Sequence, residues 1–209
     1  MKLKELISNL ESKLIGPLPG PDAHRLMMPG EINTSRFDKE KMAKARLSGV
    51  LILFYEKDGE AYLPLTQRHE YGGTHSGQIS FPGGKWEKSD PDLIFTAKRE
   101  ANEEIGVRYE EVNVIGQLSD LFIPPSNFKV TPVVSFTESQ PQFEIDTFEV
   151  KELIEVPVSH LIEETTVKQT AIKFANGYKL NTPYFDVEGR IVWGATAMML
   201  SELKQLIKI

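Results

Sequence analysis

The chain has 209 residues, of which 40% are hydrophobic, so it can bury one full-sized core. It contains no cysteine, which excludes a disulfide framework, a thiolate nucleophile and a cysteine-based zinc site. The formal net charge is −6 and no Lys/Arg run stands out, which argues against a nucleic-acid partner.

The N-terminal residues predict an amphipathic helix. Its apolar residues repeat at helical spacing, at Leu3, Leu6, Ile7, Leu10 and Leu14. We expect this face to pack on the body of the protein, while a homodimer contact stays open. The charged start lacks a signal-peptide apolar segment, and no apolar run could cross a bilayer, so we expect a cytoplasmic protein with no membrane partner.

A proline- and glycine-rich segment, residues 16–21, should end this helix, and the polar stretch after it gives no clear pattern. The middle of the chain reads mostly as strands. They are predicted at residues 45–55, 61–66, 112–118 and 129–136. The first two are joined by the turn dipeptide Asp58-Gly59.

Between the second and third of these strands, the sequence predicts a helix. Ser89 is a suitable N-cap with Asp92 three residues on, and Gly106 is the expected C′ residue. Further along, residues 166–174 and 178–187 flank Asn176-Gly177 and predict a hairpin. A last helix is predicted over residues 195–207. Interspersed strands and helices favour an α/β fold, with a sheet covered by helices on both faces.

Three carboxylates stand close together on the central helix. Glu100, Glu103 and Glu104 lie at i, i+3 and i+4, which places them on one side of the helix at about 100° per residue. Like charges at this spacing repel one another and require a counter-charge. Mg²⁺ or Mn²⁺ is the natural one for oxygen ligands, although a solvated acidic face would look the same.

Two neighbouring features support a metal and phosphate site. Arg99 lies four residues before Glu103 and could orient its carboxylate. Upstream, Gly83 and Gly84 let the backbone approach metals or phosphates closely.

On these residues the chain resembles the Nudix hydrolases. The family motif runs Gly, five residues, Glu, seven residues, then Arg-Glu-apolar-x-Glu-Glu-x-Gly-apolar. Residues 99–107, REANEEIGV, match its second half. The first half departs, since one extra residue separates Gly84 from Arg99 and the nearest acids are Asp90 and Asp92.

A narrower resemblance points to the coenzyme A diphosphatase branch. Its signature is roughly L-T-x-R-[S/A]-x3-R-x3-G-x3-F-P-G-G. The residues in register are Leu65, Thr66, Arg68, Gly77 and the run Phe81-Pro82-Gly83-Gly84. His69 and Gly73 depart from it, Gly73 standing where the branch has a second Arg.

The resemblance implies a mechanism and a set of site residues. Glu100 and Glu104 would be the principal metal ligands, and Glu103 a ligand or the base for an attacking water. A further acid would come from a distant loop, where Glu144, Asp146 and Glu149 are candidates and Glu149 is favoured. Arg68 would contact phosphate, or form a surface salt bridge. His75 would contact phosphate or the leaving group, or be an ordinary loop histidine.

The resemblance also implies an α/β/α Nudix fold, a mixed β-sheet sandwiched between helices. We expect a single Nudix domain over residues 1–209: an N-terminal helix and lead-in (1–45), the core (46–160), and a C-terminal hairpin plus helix (161–209). The expected substrate is coenzyme A or a derivative. The alternatives are ADP-ribose or another nucleotide, or a nucleotide-binding module without catalysis. Phe81, Trp86 and Trp193 are expected to pack rather than bind, although Trp86 follows the glycines and could lie at the edge of the pocket.

Overall fold

A computed structural model describes residues 1–30, 38–70, 77–173 and 177–208. The helices are α1 (Leu3–Leu14), α2 (Gly20–Leu26), α3 (Lys39–Ala43), α4 (Leu93–Ile105), α5 (Val158–Ile162) and α6 (Gly194–Lys208). The strands are β1 (Arg46–Lys57), β2 (Glu60–Arg68), β3 (Ile79–Ser80), β4 (Gly83–Lys85), β5 (Asn113–Gln117), β6 (Leu121–Ile123), β7 (Phe128–Phe136), β8 (Val150–Pro157), β9 (Val167–Lys173), β10 (Lys179–Val187) and β11 (Arg190–Trp193). None of the helices in the described ranges has the length and apolar character needed to span a bilayer.

The strands form a mixed sheet built around β1. Its order is β3-β2-β1-β7-β5, with β4 also paired to β1, β6 to β7 and β8 to β2. The pairing of β1 with β7 is parallel, whereas β1 pairs with β2 and β4 in antiparallel fashion. A smaller antiparallel sheet has the order β11-β10-β9. This confirms the predicted mixed sheet and the C-terminal hairpin, to which β11 is an unpredicted third strand.

The alternation of side chains along β1 divides the core into two layers. Leu51 and Leu53 belong to the cluster that contains the apolar residues of α4. The intervening residues, Ile52 among them, belong to the cluster that contains residues of α1 and α6. Because successive strand residues face opposite sides, helices cover both faces of the sheet, as predicted. The resulting fold is the expected α/β/α arrangement.

Helix α4 lies unusually close to β1 at one point. A Cβ atom on Gly49 would lie 2.5 Å from the carbonyl oxygen of Leu93 and 3.1 Å from the amide nitrogen of Ala97. Only glycine permits that approach, which fixes the first turn of α4 over the sheet. This contact positions the acidic face of α4 relative to β4 and β1.

The N-terminal helix confirms the prediction. Its residues from Leu3 to Leu10 bury the leucine face against the body of the chain, and the helix ends at Leu14. The proline- and glycine-rich segment that follows also starts α2, with Pro21 in its first turn, which the sequence did not predict.

Helices α2 and α6 are joined by a buried polar contact. The imidazole of His24 lies 2.8 Å from Glu202, and both side chains are almost fully buried. Glu202 also accepts hydrogen bonds from the amides of Gly20 and Ser119 and from the Ser119 hydroxyl. These bonds hold the C-terminal helix against the N-terminal part of the chain.

For α4, the predicted C-terminal end is confirmed and the predicted N-terminal end is wrong. The helix ends at Ile105, and Gly106 caps it in the left-handed conformation with φ of 73°. The predicted N-cap at Ser89 is wrong, because the helix starts four residues later and Asp92 caps it by accepting from the amide of Phe95. Asn176, in the predicted hairpin turn, lies outside the described residues.

Candidate active site

A cavity of about 330 Å³ opens beside β4, and the acidic helix contributes to its wall. Glu100 and Glu104 of α4 line it, together with Arg68, Gly83 and Gly84. Five of the residues predicted from the sequence are therefore brought to one cavity. A further predicted residue, Glu149, lines it from a distant part of the chain.

Glu104 is the most deeply buried of the three carboxylates on α4, with its side chain 2% exposed. One carboxylate oxygen accepts from the amide of Gly83 at 3.1 Å, and the other accepts from Nη2 of Arg68 at 3.2 Å. Burial nevertheless dominates and raises the pKa of Glu104 to about 7, while the charges of Glu100 and Glu149 push it in the same direction. In the metal-free protein, the positive charge of Arg68 therefore does not offset the effect of burial on this carboxylate.

Glu100 lies against the backbone of β4. A Cβ atom on Gly84 would lie 2.3 Å from the nearer carboxylate oxygen, so only glycine leaves room for this side chain. Burial raises the pKa of Glu100, and the neighbouring Arg99 opposes the shift. Glycine at position 84 thus allows the carboxylate of Glu100 to reach the cavity.

Glu103 is placed differently from the other two. Its side chain is 55% exposed and pairs with Nη1 of Arg99 at 2.9 Å, and it does not line the cavity. At about 100° per residue, Glu103 and Glu104 project a full quarter-turn or more apart, so one can face solvent while the other is buried. The structure therefore does not bring the third predicted carboxylate to the cavity.

Arg99 is occupied entirely by protein groups. Its guanidinium donates to the carboxylate of Asp90, to the carbonyl of Lys85 and to Glu103, and it lies 3.0 Å from Glu100. These partners raise its pKa. Arg99 thus positions the carboxylates of α4 and does not itself line the cavity.

Asp90 is an important residue whose role could not be inferred from the sequence. Its side chain is fully buried and accepts hydrogen bonds from Arg99, from the hydroxyl of Thr96 and from the amide of Glu87. The hydrogen bonds from Arg99 are the main reason that the pKa of Asp90 is lowered. The only sequence signal was an acid near the place where the family motif has its early Glu.

Arg68 reaches the cavity from the end of β2. The pairing of β2 with β8 is irregular between Gln67 and Arg68, and such a bulge redirects a side chain. Nη2 of Arg68 contacts Glu104 and, at 3.4 Å, the carbonyl of Gly83. Its side chain remains 30% exposed, so part of the guanidinium stays accessible.

Glu149 is held by a loop that packs on the end of α4. The amides of Glu144 and Asp146 donate to the last carbonyls of the helix, at Ile105 and Glu104. The amides of Glu149 and Val150 in turn donate to the carbonyl of Asp146. These bonds satisfy backbone groups that a helix end leaves unpaired, and they fix Glu149 beside the cavity.

The rest of the cavity wall includes residues that the sequence did not single out. Trp193, expected to pack, lines the cavity together with Ala195, Thr196 and Met199 from the C-terminal segment. The hydroxyl of Thr196 donates to the carbonyl of Ile79, which anchors α6 beside β3. His75, which was predicted to contact substrate, lies outside the described residues.

The donors at the cavity fit a hard divalent cation. Glu100, Glu104 and Glu149 share one cavity, and burial raises the pKa of the first two by disfavouring their charged forms. A bound cation would favour those charged forms. Within the described ranges, no three Asp, Glu or His side chains are already gathered as a preformed metal site. Oxygen-only donors exclude the thiolate-rich sites that select zinc.

Comparison with known proteins agrees with this geometry. The family model for the NUDIX domain matches residues 45–178. The uncharacterized Nudix hydrolase NudL of Yersinia enterocolitica is 33% identical over 151 residues, covering 72% of this chain and 76% of the relative. The protein of the same name from Yersinia pestis is 30% identical over 186 residues, covering 88% and 92%.

The fold comparison points the same way. A MutT/nudix family protein from Enterococcus faecalis superimposes with a TM-score of 0.51 at 14% identity, covering 78% of this chain and 62% of the other. That likeness concerns the fold alone. The family match extends over more than half of the chain and includes the whole acidic helix, so this chain belongs to the Nudix hydrolase family.

Proposed function

We propose that this chain is a Mg²⁺- or Mn²⁺-dependent diphosphatase that hydrolyses coenzyme A or a derivative. The products would be 4'-phosphopantetheine and adenosine 3',5'-bisphosphate. One observation carries the diphosphatase proposal: Glu100, Glu104 and Glu149 share a cavity with the guanidinium of Arg68. The choice of coenzyme A is supported by the branch-like run from Leu65 to Gly84.

Glu100 and Glu104 would hold the cation, with Glu149 as a further ligand or as the base. A divalent cation bound there would neutralise diphosphate charge, polarise a phosphorus atom and lower the pKa of a bound water. Arg68 would bind a phosphate oxygen through the accessible part of its guanidinium. Arg99 and Asp90 would act by holding Glu100 in place.

Glu149 is the group best placed to take the proton of the attacking water. Its side chain is exposed beside the cavity. Glu103, the other candidate base, is engaged by Arg99 outside the cavity lining. In this reaction the water oxygen bonds to phosphorus, the bridging P–O bond breaks, and the leaving phosphate ester departs with the bridging oxygen. General-base catalysis of this kind contributes about 10²–10⁴-fold.

Matched substitutions on α4 test the site. We expect Glu100→Gln and Glu104→Gln to lower kcat/KM by at least about a hundredfold, because each removes a carboxylate from the cation site. Glu103→Gln should cost less, since its carboxylate faces solvent. The exposed Glu110, in a 3₁₀ turn away from the cavity, provides the control Glu110→Gln. Equal activity of wild type and Glu104→Gln with saturating Mg²⁺ would refute the site.

A substrate panel and an isotope experiment test the chemistry. Coenzyme A, ADP-ribose, a dinucleoside polyphosphate and a nucleoside triphosphate are compared at matched concentration. Coenzyme A should give the highest kcat/KM, and a value no better than that of ADP-ribose would overturn the substrate assignment. Hydrolysis in ¹⁸O-water followed by mass spectrometry of both products identifies the phosphorus attacked. Tight binding with no product would favour the non-catalytic alternative.

A further inference from the structure

The wall of the cavity that is made by strands continues beyond the carboxylates toward the surface. Along β1, Ser48 and Val50 line the cavity, and Arg46 follows on the same face at the exposed end of the strand. Register places Lys85 of β4 opposite Ser48, and Phe128 of β7 opposite Arg46. Residues directly opposite in paired strands share a face, so these four side chains lie on one face of the sheet. Ser48, Lys85 and Phe128 line the cavity there.

Two cationic side chains lie at this end of the sheet face, and neither pairs with a carboxylate in the part of the chain that the structure describes. Lys85 lines the cavity and is exposed, and its ammonium contacts no acidic group among the described residues. Arg46 is not a lining residue, but its guanidinium lies 4.1 Å over the ring of Phe128 and donates to the carbonyl of Ser126 at 2.6 Å. Both of those partners line the cavity. Arg46 is therefore oriented by neutral groups, and it has no ion pair within the described ranges.

A buried hydroxyl at the same place also lacks a partner. The Oγ atom of Ser126 is buried, has no hydrogen-bond partner among the described residues, and belongs to a residue that lines the cavity. A buried polar atom left without a partner costs about 1–3 kcal/mol. An anion at this end of the cavity would satisfy it, since a hydroxyl can donate to a phosphate oxygen.

The other cations near the cavity are already engaged by carboxylates. Arg68 contacts Glu104, and Arg99 contacts Asp90, Glu100 and Glu103. In a chain of net charge −6, an anionic substrate needs local positive charge beyond these pairs. We propose that Lys85, Arg46 and the Ser126 hydroxyl form a second anion subsite, which binds a phosphate monoester of the substrate separate from its diphosphate.

This inference rests on the proposed function and narrows its substrate class. A further phosphate group beside a diphosphate can be a monoester on a ribose, as in coenzyme A, or can extend the phosphate chain through an anhydride bond, as in a nucleoside triphosphate. We commit to the ribose phosphate, because the diphosphate is expected at Arg68 and the carboxylates, while Lys85 and Arg46 lie toward the outer end of the strands. A substrate without that phosphate would leave this end of the cavity unused.

A binding experiment tests the subsite without turnover. Isothermal titration with Mg²⁺ compares adenosine 3',5'-bisphosphate, 5'-ADP and AMP on wild type, Lys85→Ala and Arg46→Gln. We expect each substitution to weaken adenosine 3',5'-bisphosphate by about tenfold, and to weaken the other two ligands much less. Lys88→Ala is the matched control, because this exposed lysine lies three residues away and does not line the cavity. Equal weakening of all three ligands would overturn the subsite, as Lys85 would then act on any phosphate.

A kinetic experiment separates this inference from the proposed function. The ratio of kcat/KM for coenzyme A to that for its analogue lacking the 3'-phosphate is measured for the same proteins. Wild type should prefer coenzyme A, and Lys85→Ala should lower the ratio by about tenfold. If the ratio is unchanged in both Lys85→Ala and Arg46→Gln, the subsite is refuted. Hydrolysis of coenzyme A by the same proteins would still support the proposed function. If neither compound is hydrolysed, the proposed function fails, and the binding data still decide the subsite.

Discussion

The buried carboxylate of Glu104 predicts an unusual dependence of stability on pH. Burial raises its pKa from the ordinary 4.5 to about 7, so the metal-free folded protein holds a proton that the unfolded chain releases near pH 4.5. Stability therefore falls as pH rises wherever the folded state binds more protons than the unfolded state. The loss begins near pH 4.5 and is complete above about pH 7.

The size of this effect follows from the pKa difference. One pKa unit corresponds to 1.36 kcal/mol, so charging Glu104 in the folded state removes up to about 3 kcal/mol from the free energy of unfolding. Glutamine has nearly the same shape and carries no charge. We expect Glu104→Gln to be about as stable as wild type at pH 4.5 and up to about 3 kcal/mol more stable at pH 8.

Urea denaturation in EDTA at several pH values between 4.5 and 8 measures this difference. Glu100 and all other titrating groups are present in both proteins, so the difference between them isolates the charge at position 104. Glu103→Gln serves as the control, because its exposed ion pair with Arg99 is worth at most about 1 kcal/mol. A variant at position 104 that is no more stable than wild type at pH 8 would refute the electrostatic account of the site.

The remaining predictions concern two glycines, one buried polar contact and the cation. Gly84→Ala should fold with a loss of about 1–2 kcal/mol but lower kcat at least about tenfold, because its methyl group displaces only the mobile end of Glu100; unaltered kcat would contradict this. Gly83→Ala should cost about 3 kcal/mol or more in urea denaturation, since its φ is 152° and the added Cβ would meet backbone atoms at 2.5 Å. Glu202→Gln should cost about 3 kcal/mol by weakening the buried contact between α2 and α6, and a loss below about 1 kcal/mol would show that contact to be unimportant. Adding Mg²⁺ at pH 8 should raise the melting temperature of wild type but not that of Glu104→Gln, and an equal rise in both would place the cation elsewhere.

Local features of the sequence were enough to predict the elements that carry the chemistry. The periodic leucines predicted α1 correctly. The C-terminal end of the acidic helix was also predicted, because the helical periodicity and the glycine that ends it lie within a few residues of one another. The start of α4 was misplaced for a reason that local signals do not contain. Asp90 is drawn into the interior by Arg99, nine residues later, so the chain between Ser89 and Asp92 is not helical.

The other failures are also tertiary in origin. Strand β8 mixes charged and apolar residues, so its sequence did not predict a strand. Its strand conformation is seen only in its pairing with β2. The cavity wall at Trp193 and Met199 joins Gly84 across more than a hundred residues of sequence. Periodicity reports which side of an element is apolar, but it does not report which distant element packs there. The cavity residues that come from the C-terminal segment, Trp193, Ala195, Thr196 and Met199, were therefore not predictable.

The position of the carboxylates within α4 strengthens the case for a cation. They occupy the last two turns of the helix, where the macrodipole presents its negative end and no basic residue lies in the final turn. Burial is the main reason that the charged forms of Glu100 and Glu104 are disfavoured, and the charge of Glu149 acts in the same direction on both. A sequence selected for stability alone would place neutral or basic residues there. A cation bound at the cavity would supply the positive charge that this arrangement lacks. The same argument explains why the substitution at position 104 that is expected to remove activity should also stabilise the metal-free fold.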